Sequence, residues 1–312
     1  MATTINPHRL LPIFLLIVAY SAHAAGVSGD PPPTGDFPEV TYRTHANEVR
    51  LTFSASDQNH HGVATLQAAD FAVVDKELVV RNFQSFTRSD VTKLDIAILI
   101  DGSESLAPSF RRETSNLVEL LAQTAGVPEE NLSVFFVGSK PALLCAASCR
   151  GWNAAEHLPA PHAGELTPLF DTIIYASNYL AQHAERDAQK ILIVLSDGQD
   201  TASLNSFRDA RDSALHNALK IYSIDLNHDL SSQGSSVLFH LAGATGGSYF
   251  AGPNATTRAT DGILEDFKAS YVITYKLPSN DSGFHDLRIV PTHNLNLQFR
   301  SRSGYYYPDN SR

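Results

Sequence analysis

Asp101, Ser103 and Ser105 stand at alternate positions directly after an unbroken apolar run at 96–100. Thr167 lies well downstream, just ahead of a helical pattern, and Asp197 follows a second apolar run at 190–195. Carboxylate and hydroxyl oxygens are hard ligands, suited to Mg²⁺ or a similar cation and not to a soft metal. Taken singly, each residue has a plainer use. Asp-Gly-Ser is a common turn, and Ser105 can cap a helix. Thr167 can be an N-cap with Pro168 at the first helical position, and Asp197-Gly198 can be a turn. Their joint order on alternating strands and helices is what points to one divalent-ion site.

The elements that must position them follow from periodicity. Residues 96–100 read as a strand covered on both faces, and 106–124 as a helix with Leu106, Phe110, Leu117 and Leu121 on one stripe. Further strands are expected at 132–137, 141–147 (an edge), 190–195, 221–226 and 248–251. Helices are expected at 167–182, 203–219, 235–244 and 256–269. This rhythm predicts an α/β fold with a doubly wound, mainly parallel sheet. In such a sheet ligands bind at the carboxyl ends of the strands, where Asp101 and Asp197 would sit. Asp171 and Asp200 read as helix-start residues favoured by the helix dipole, Asp171 with the alternative of bonding the site from behind. Segments 148–165 and 227–234 read as loops framing the site.

Both flanks of this region read as β. Val49, Leu51, Phe53 and Ala55 alternate with polar residues, and 71–74 and 78–86 are two more strand candidates. After residue 270, Tyr271, Ile273, Tyr275 and Leu277 alternate, as do Leu295, Leu297 and Phe299. Neither flank has strands enough to close a core alone. The economical arrangement pairs both into one small β-sandwich, with the α/β domain inserted between them. His60 and His61 fall in a polar turn at 57–62 and read as solvated.

Composition bounds the rest. The net charge of -10 disfavours nucleic acid and anionic membrane surfaces as partners. His8 and Arg9, an apolar run at 10–20 and Ala22-His23-Ala24 form an export signal with a cleavage site, and no later stretch is long and apolar enough to span a membrane. The mature chain is therefore expected to be exported, to the periplasm or the exterior. Cys145 and Cys149 are the two cysteines. Export permits a disulfide between them, but four residues along a straight strand separate the Cα atoms by roughly 13 Å, so a bridge needs a bend.

The set Asp101-Gly102-Ser103-Glu104-Ser105, Thr167 and Ile193-Val194-Leu195-Ser196-Asp197-Gly198 resembles the metal-ion-dependent adhesion site (MIDAS) of von Willebrand factor type A (VWA) domains. The flanking Asp70-Phe71-Ala72-Val73, Phe83, Phe86 and Arg302-Ser303-Gly304-Tyr305-Tyr306 resemble a group of exported bacterial VWA-related proteins. Asp75-Lys76-Glu77 departs from that group in lacking the hairpin glycine. The chain thus reads as a signal peptide (1–24), a Pro/Gly-rich spacer (25–38) and sandwich parts at 39–92 and 270–308, and the resemblance implies a VWA domain at 93–269. It implies Ser103, Ser105 and Thr167 as direct ligands of Mg²⁺, or Mn²⁺ or Ca²⁺, with Asp101 and Asp197 either anchoring those ligands from behind or holding the ion through water. Neutral hydroxyls leave the ion's charge poorly neutralised, so it attracts a carboxylate of a protein partner. The implied function is an adhesion or assembly module and not an enzyme. The alternatives are a cell-envelope component with a purely structural ion and a hydrolytic enzyme. For the last, the chain has no Gly-x-Ser-x-Gly, Ser-x-x-Lys or His-Glu-x-x-His motif.

Overall fold

A computed structural model describes residues 48–89, 93–102, 108–122, 131–146, 149, 151–159, 166–185, 187–227 and 231–308. The expected signal peptide and spacer lie outside these residues, as do Ser103, Ser105 and Glu104.

The centre of the chain is β5 (Leu94–Asp101), buried along its whole length. Its parallel neighbours are β6 (Leu132–Val137) and β8 (Gln189–Ser196). Beyond β8 come β9 (Lys220–Asp225) and the short β10 (Tyr249–Phe250), both parallel. Beyond β6, β7 (Pro141–Ala146) closes the edge antiparallel, giving the order β10-β9-β8-β5-β6-β7. Alternate residues of β5 serve opposite faces. Ile96, Ile98 and Ile100 join one core with α1 (Pro108–Ala122), α2 (Ala154–His157) and α6 (Ala255–Lys268). Ala97 and Leu99 join a second core with α3 (Leu169–His183), α4 (Phe207–His216) and α5 (Gln233–Thr245). An unbroken apolar run is what a strand with both faces covered requires.

The flanks form two four-stranded antiparallel sheets. One has the order β13-β1-β11-β4, from β13 (Gln298–Ser301), β1 (Glu48–Ser56), β11 (Ser270–Lys276) and β4 (Ser85–Arg88). The other is β14-β12-β2-β3, from β14 (Gly304–Tyr307), β12 (Gly283–Pro291), β2 (Phe71–Asp75) and β3 (Leu78–Val80). Each sheet mixes strands from before and after the α/β domain, as expected. Their inner faces share an aromatic core in which Phe71 lies 5.1 Å from both Phe53 and Phe83. Among the described residues no helix is long and apolar enough to cross a membrane.

Several boundaries differ from the sequence reading. The single strand expected at 78–86 is two, β3 and β4, because the chain crosses from one sheet to the other between them. The helix expected from 203 begins at Phe207, where Ser206 and Asp209 form a capping box. Segment 148–165 is not wholly loop: Trp152, Ala154 and Leu158 are buried in the core with Leu117. Cys145 and Cys149 are disulfide-bonded with Cα atoms 5.8 Å apart, well within the separation a straight strand would give.

The hairpin between β2 and β3 has Lys76 at φ 47° and Glu77 at φ 68°. Both central positions of a two-residue turn with that twist favour Asn or Gly, and neither is present. Lys76 reaches Asp281 at 2.9 Å, so Glu77 is the position to relieve. Glu77→Gly is expected to stabilise the fold by about 0.5–1 kcal/mol, read as a raised urea midpoint. A lowered midpoint would contradict the turn assignment.

Asp95, in β5, is 4% exposed. Burial pushes its carboxyl up to about 6; the Glu185 N–H that it accepts opposes this, and the Glu185 charge adds to it. The folded state thus holds the proton more tightly than the unfolded chain. The stability this gives is present below about pH 4 and is lost as pH rises through about 6. Asp95→Asn removes the dependence. The stability of this variant relative to the parent should rise by about 1–3 kcal/mol between about pH 4 and about pH 7 in urea melts. A difference that does not vary with pH would refute the assignment.

Candidate metal centre

Asp101 ends β5 and is fully buried. Its carboxylate accepts the Ser196 hydroxyl at 2.6 Å, from the last residue of the neighbouring β8. The Ser196 oxygen in turn accepts the Gly198 N–H at 2.8 Å. One hydroxyl therefore ties the end of β5 to the turn that carries Asp197. Ser196 had no assigned role in the sequence; a hydroxyl closing a strand beside an acidic strand end was the available signal. Gly102 follows Asp101 because a Cβ there would lie 2.6 Å from the Phe136 ring and 2.8 Å from Val137 O, the carbonyl to which its N–H donates.

Asp197 is half-buried, with Oδ1 accepting the Gln199 N–H at 2.9 Å. Its carbonyl accepts Asn227 Nδ2 at 2.6 Å, and that amide also donates to Asp225. Thr167 is 8% exposed. Its N–H donates to Thr201 Oγ1 at 2.8 Å, and its carbonyl accepts the Thr201 N–H at 3.0 Å. The Thr167 segment is thereby clamped to the loop that begins at Asp197.

The α3 terminus corrects one reading. Pro168, not Thr167, occupies the N-cap position and offers no side-chain bond. The exposed amides of the first turn are capped from the other loop: Phe170 N–H donates to Asp200 Oδ2 and Asp171 N–H to Ser203 Oγ. Asp200 starts no helix; it holds Ser203 and α3 together. Asp171 lies in the first turn of α3 and accepts the Leu204 and Asn205 N–H groups and the Asn205 side-chain amide.

Asp101, Thr167 and Asp197 thus belong to one hydrogen-bonded frame, while Ser103 and Ser105 lie outside the described residues. Among the described residues there is no group of three or more His, Cys, Asp or Glu side chains able to hold a metal. The donors at this frame are hydroxyl and carboxylate oxygens, the kind a hard divalent cation takes.

No family model matches the chain, and no curated protein does. Several solved structures are similar to it in part. A von Willebrand factor type A protein from Catenulispora acidiphila is 13% identical with a TM-score of 0.42, over 86% of this chain and 76% of that one. Proximal thread matrix protein 1 of the mussel byssus, solved with a zinc-occupied MIDAS motif, is 14% identical with a TM-score of 0.44, over 62% of this chain and 49% of that one. Manganese-loaded TRAP of Plasmodium vivax is 15% identical with a TM-score of 0.39, over 77% of this chain and 100% of that one. The inserted domain is a six-stranded, mainly parallel sheet with helices on both faces.

The α/β domain fixes its Asp197 turn by backbone contact as well. Gly198, at φ 74°, and Gly234, in the first turn of α5, touch main chain to main chain. A Cβ on Gly234 would lie 2.0 Å from Asp197 O, and one on Gly198 2.2 Å from Gly234 O. Gly243, in the same helix, has nothing within 4 Å of its would-be Cβ. Gly234→Ala should cost about 1–3 kcal/mol by overpacking, whereas Gly243→Ala should be neutral or stabilising by up to ~1 kcal/mol. Urea unfolding of the two variants decides it; equal midpoints would remove the contact.

Proposed function

We propose that the chain is an exported binding module that captures a protein partner through a divalent ion. Ser103, Ser105 and Thr167 hold the ion directly, and Asp101 and Asp197 hold it through water. The ion is Mg²⁺, with Mn²⁺ or Ca²⁺ able to replace it. The observation that carries this reading is the frame Asp101–Ser196–Gly198, with Thr167 clamped through Thr201 to the same loop. It gathers the ends of three distant segments, and the residues at those ends are hard oxygen donors.

A hydroxyl-rich shell neutralises little of the ion's charge. Mg²⁺ keeps exchangeable waters, so a carboxylate from a partner has a position to enter. The reading is one of binding and not of catalysis. The nearby carboxylates of Asp171 and Asp200 are committed to loop amides and to Ser203, which leaves them poorly placed to serve as bases. Export is supported by the leader-like first 24 residues and by the Cys145–Cys149 bond, which persists in oxidising compartments.

The test is calorimetric titration with Mn²⁺, paired with capture of proteins from envelope extract with and without chelator. Thr167→Val and Ser103→Ala should each weaken Mn²⁺ binding by at least about 10–100-fold while leaving the thermal transition nearly unchanged. Retention of partners in excess chelator would overturn the reading, as would unaltered Mn²⁺ affinity in both variants.

A further inference from the structure

We infer that the cleft between the last turn of α4 and the outer face of β14 binds a neutral sugar ring. The site is separate from the oxygen frame and does not rest on the ion-dependent reading above.

β12 and β14 pair with Phe284 directly opposite Tyr306. The flanking His285, Tyr305 and Tyr307 are buried, so alternation places Phe284 and Tyr306 together on the outer face. Their ring centroids lie 5.1 Å apart. A Cβ on Gly304 would lie 2.3 Å from Phe284 Cζ, so the Phe284 ring lies over that glycine. This packing fixes the ring and still leaves the residue 42% exposed. A cross-strand aromatic pair stabilises a sheet edge whatever else it does. Here it also borders a cleft of about 340 Å³, lined by Tyr306 on one side and by Asp212, Ser213 and His216 of α4 on the other. The His216 ring stands 6.2 Å from that of Tyr306. The volume falls at the lower end of small-ligand sites, about 300–1,000 Å³.

The polar groups of the cleft are balanced in charge. Arg211 donates to Asp212 twice, at 2.7 and 2.9 Å. The Tyr306 hydroxyl bonds both of them; burial first, and then the Asp212 bond, holds the phenol above its ordinary value, so it stays a neutral donor. A guanidinium bonded to a carboxylate leaves little net charge for a ligand to meet, which disfavours both anions and ammonium-type cations. What remains is a rim of donors and acceptors, from Asp212, Ser213 and His216, beside aromatic faces. A sugar ring has hydroxyls at its edge, each able to donate and accept, and a C–H face that can lie on an aromatic ring. A purely apolar ligand would leave the polar rim unpaired.

α4 has ten residues and spans about 15 Å. It starts just beyond the loop held by Asp171 and Asp200, so its last turn lies at the end away from the oxygen frame. Sugar binding is therefore independent of a divalent ion.

The test titrates the full chain with linear oligomers of glucose and of N-acetylglucosamine, with and without EDTA, by calorimetry and by NMR of the His216 ring. At least one neutral oligomer should bind saturably, shift the His216 signals and ignore EDTA. Oligogalacturonate and chitosan oligomers, which carry negative and positive charge, should bind at least about 10-fold more weakly. His216→Ala and Phe284→Ser should each lower the affinity by about 3- to 10-fold. His216 is exposed, so its variant keeps the parent's unfolding midpoint. Absence of saturable binding to both neutral oligomers would overturn the inference, as would tighter binding of a charged one or affinity untouched by both substitutions. Binding that EDTA abolishes would place the sugar at the oxygen frame and also overturn it. None of these results bears on Mn²⁺ affinity, so the ion-dependent reading stands or falls separately.

Discussion

A carboxylate withdrawn from water has to be paired, or it protonates or undoes the fold. Asp101 faces this demand at the end of the most buried strand in the molecule. The Ser196 hydroxyl meets it at 2.6 Å. That bond is possible because β5 and β8 are adjacent and parallel, with Ile100 opposite Leu195, so that the two strands finish side by side. A hydroxyl that donates its proton still has lone pairs, and Ser196 uses one for the Gly198 N–H. A single satisfied carboxylate therefore fixes the ends of two strands and the start of the turn bearing Asp197.

The loop that follows is held by polar bonds in addition to the Gly198–Gly234 backbone contact. Asp200 and Ser203 cap α3 from a distance, and Asp171, in the first turn of α3, returns bonds to Leu204 and Asn205. The exchange is reciprocal, so neither segment can shift without exposing unpaired amides of the other. It also explains why a stretch with so many oxygens is not simply a cluster of metal ligands. Most of them are occupied in holding the loop and the start of α3 together.

Much of this architecture was legible in the sequence. The apolar runs ending in Asp101 and Ser196-Asp197 read correctly as buried parallel strands, because covering both faces leaves an unbroken signal. The two-flank sandwich also followed, because neither set of strands could bury a face alone. What escaped had a physical reason. The strand β12 went unread because its inward position is His285, fully buried and bonded to the equally buried Asp75, while Phe284 points outward and is 42% exposed. Polarity patterning is inverted where a buried hydrogen-bonded polar pair replaces an apolar contact. Tyr275 and Tyr305 complete the satisfaction of Asp75, from strands more than a hundred residues away from it along the chain. Leu295, taken as a strand residue, is 78% exposed in a turn ahead of β13. The role of Asp200 was hidden for a related reason: it caps a helix that lies before it in the chain, and local rules look only forward.

The insertion itself follows from one pairing. The chain leaves the sandwich on β4 and re-enters on β11, and these strands are neighbours, with Arg88 opposite Tyr271. The ends of the inserted domain are thus held close together, the condition under which an insertion costs a framework little. Among the described residues the framework grips the domain at the amino ends of its strands. Ser89 donates to Gln189, the first residue of β8, and buried Lys220, the first residue of β9, donates to Ser54. Burial lowers the Lys220 amine to about 8, against the pull of the Asp266 carboxylate. These contacts lie at the amino ends of the parallel strands, whereas Asp101 and Ser196 lie at the carboxyl ends. A strand of eight residues spans roughly 26 Å, so the sandwich holds the domain from the side opposite the oxygen frame and leaves that end of the sheet facing outward.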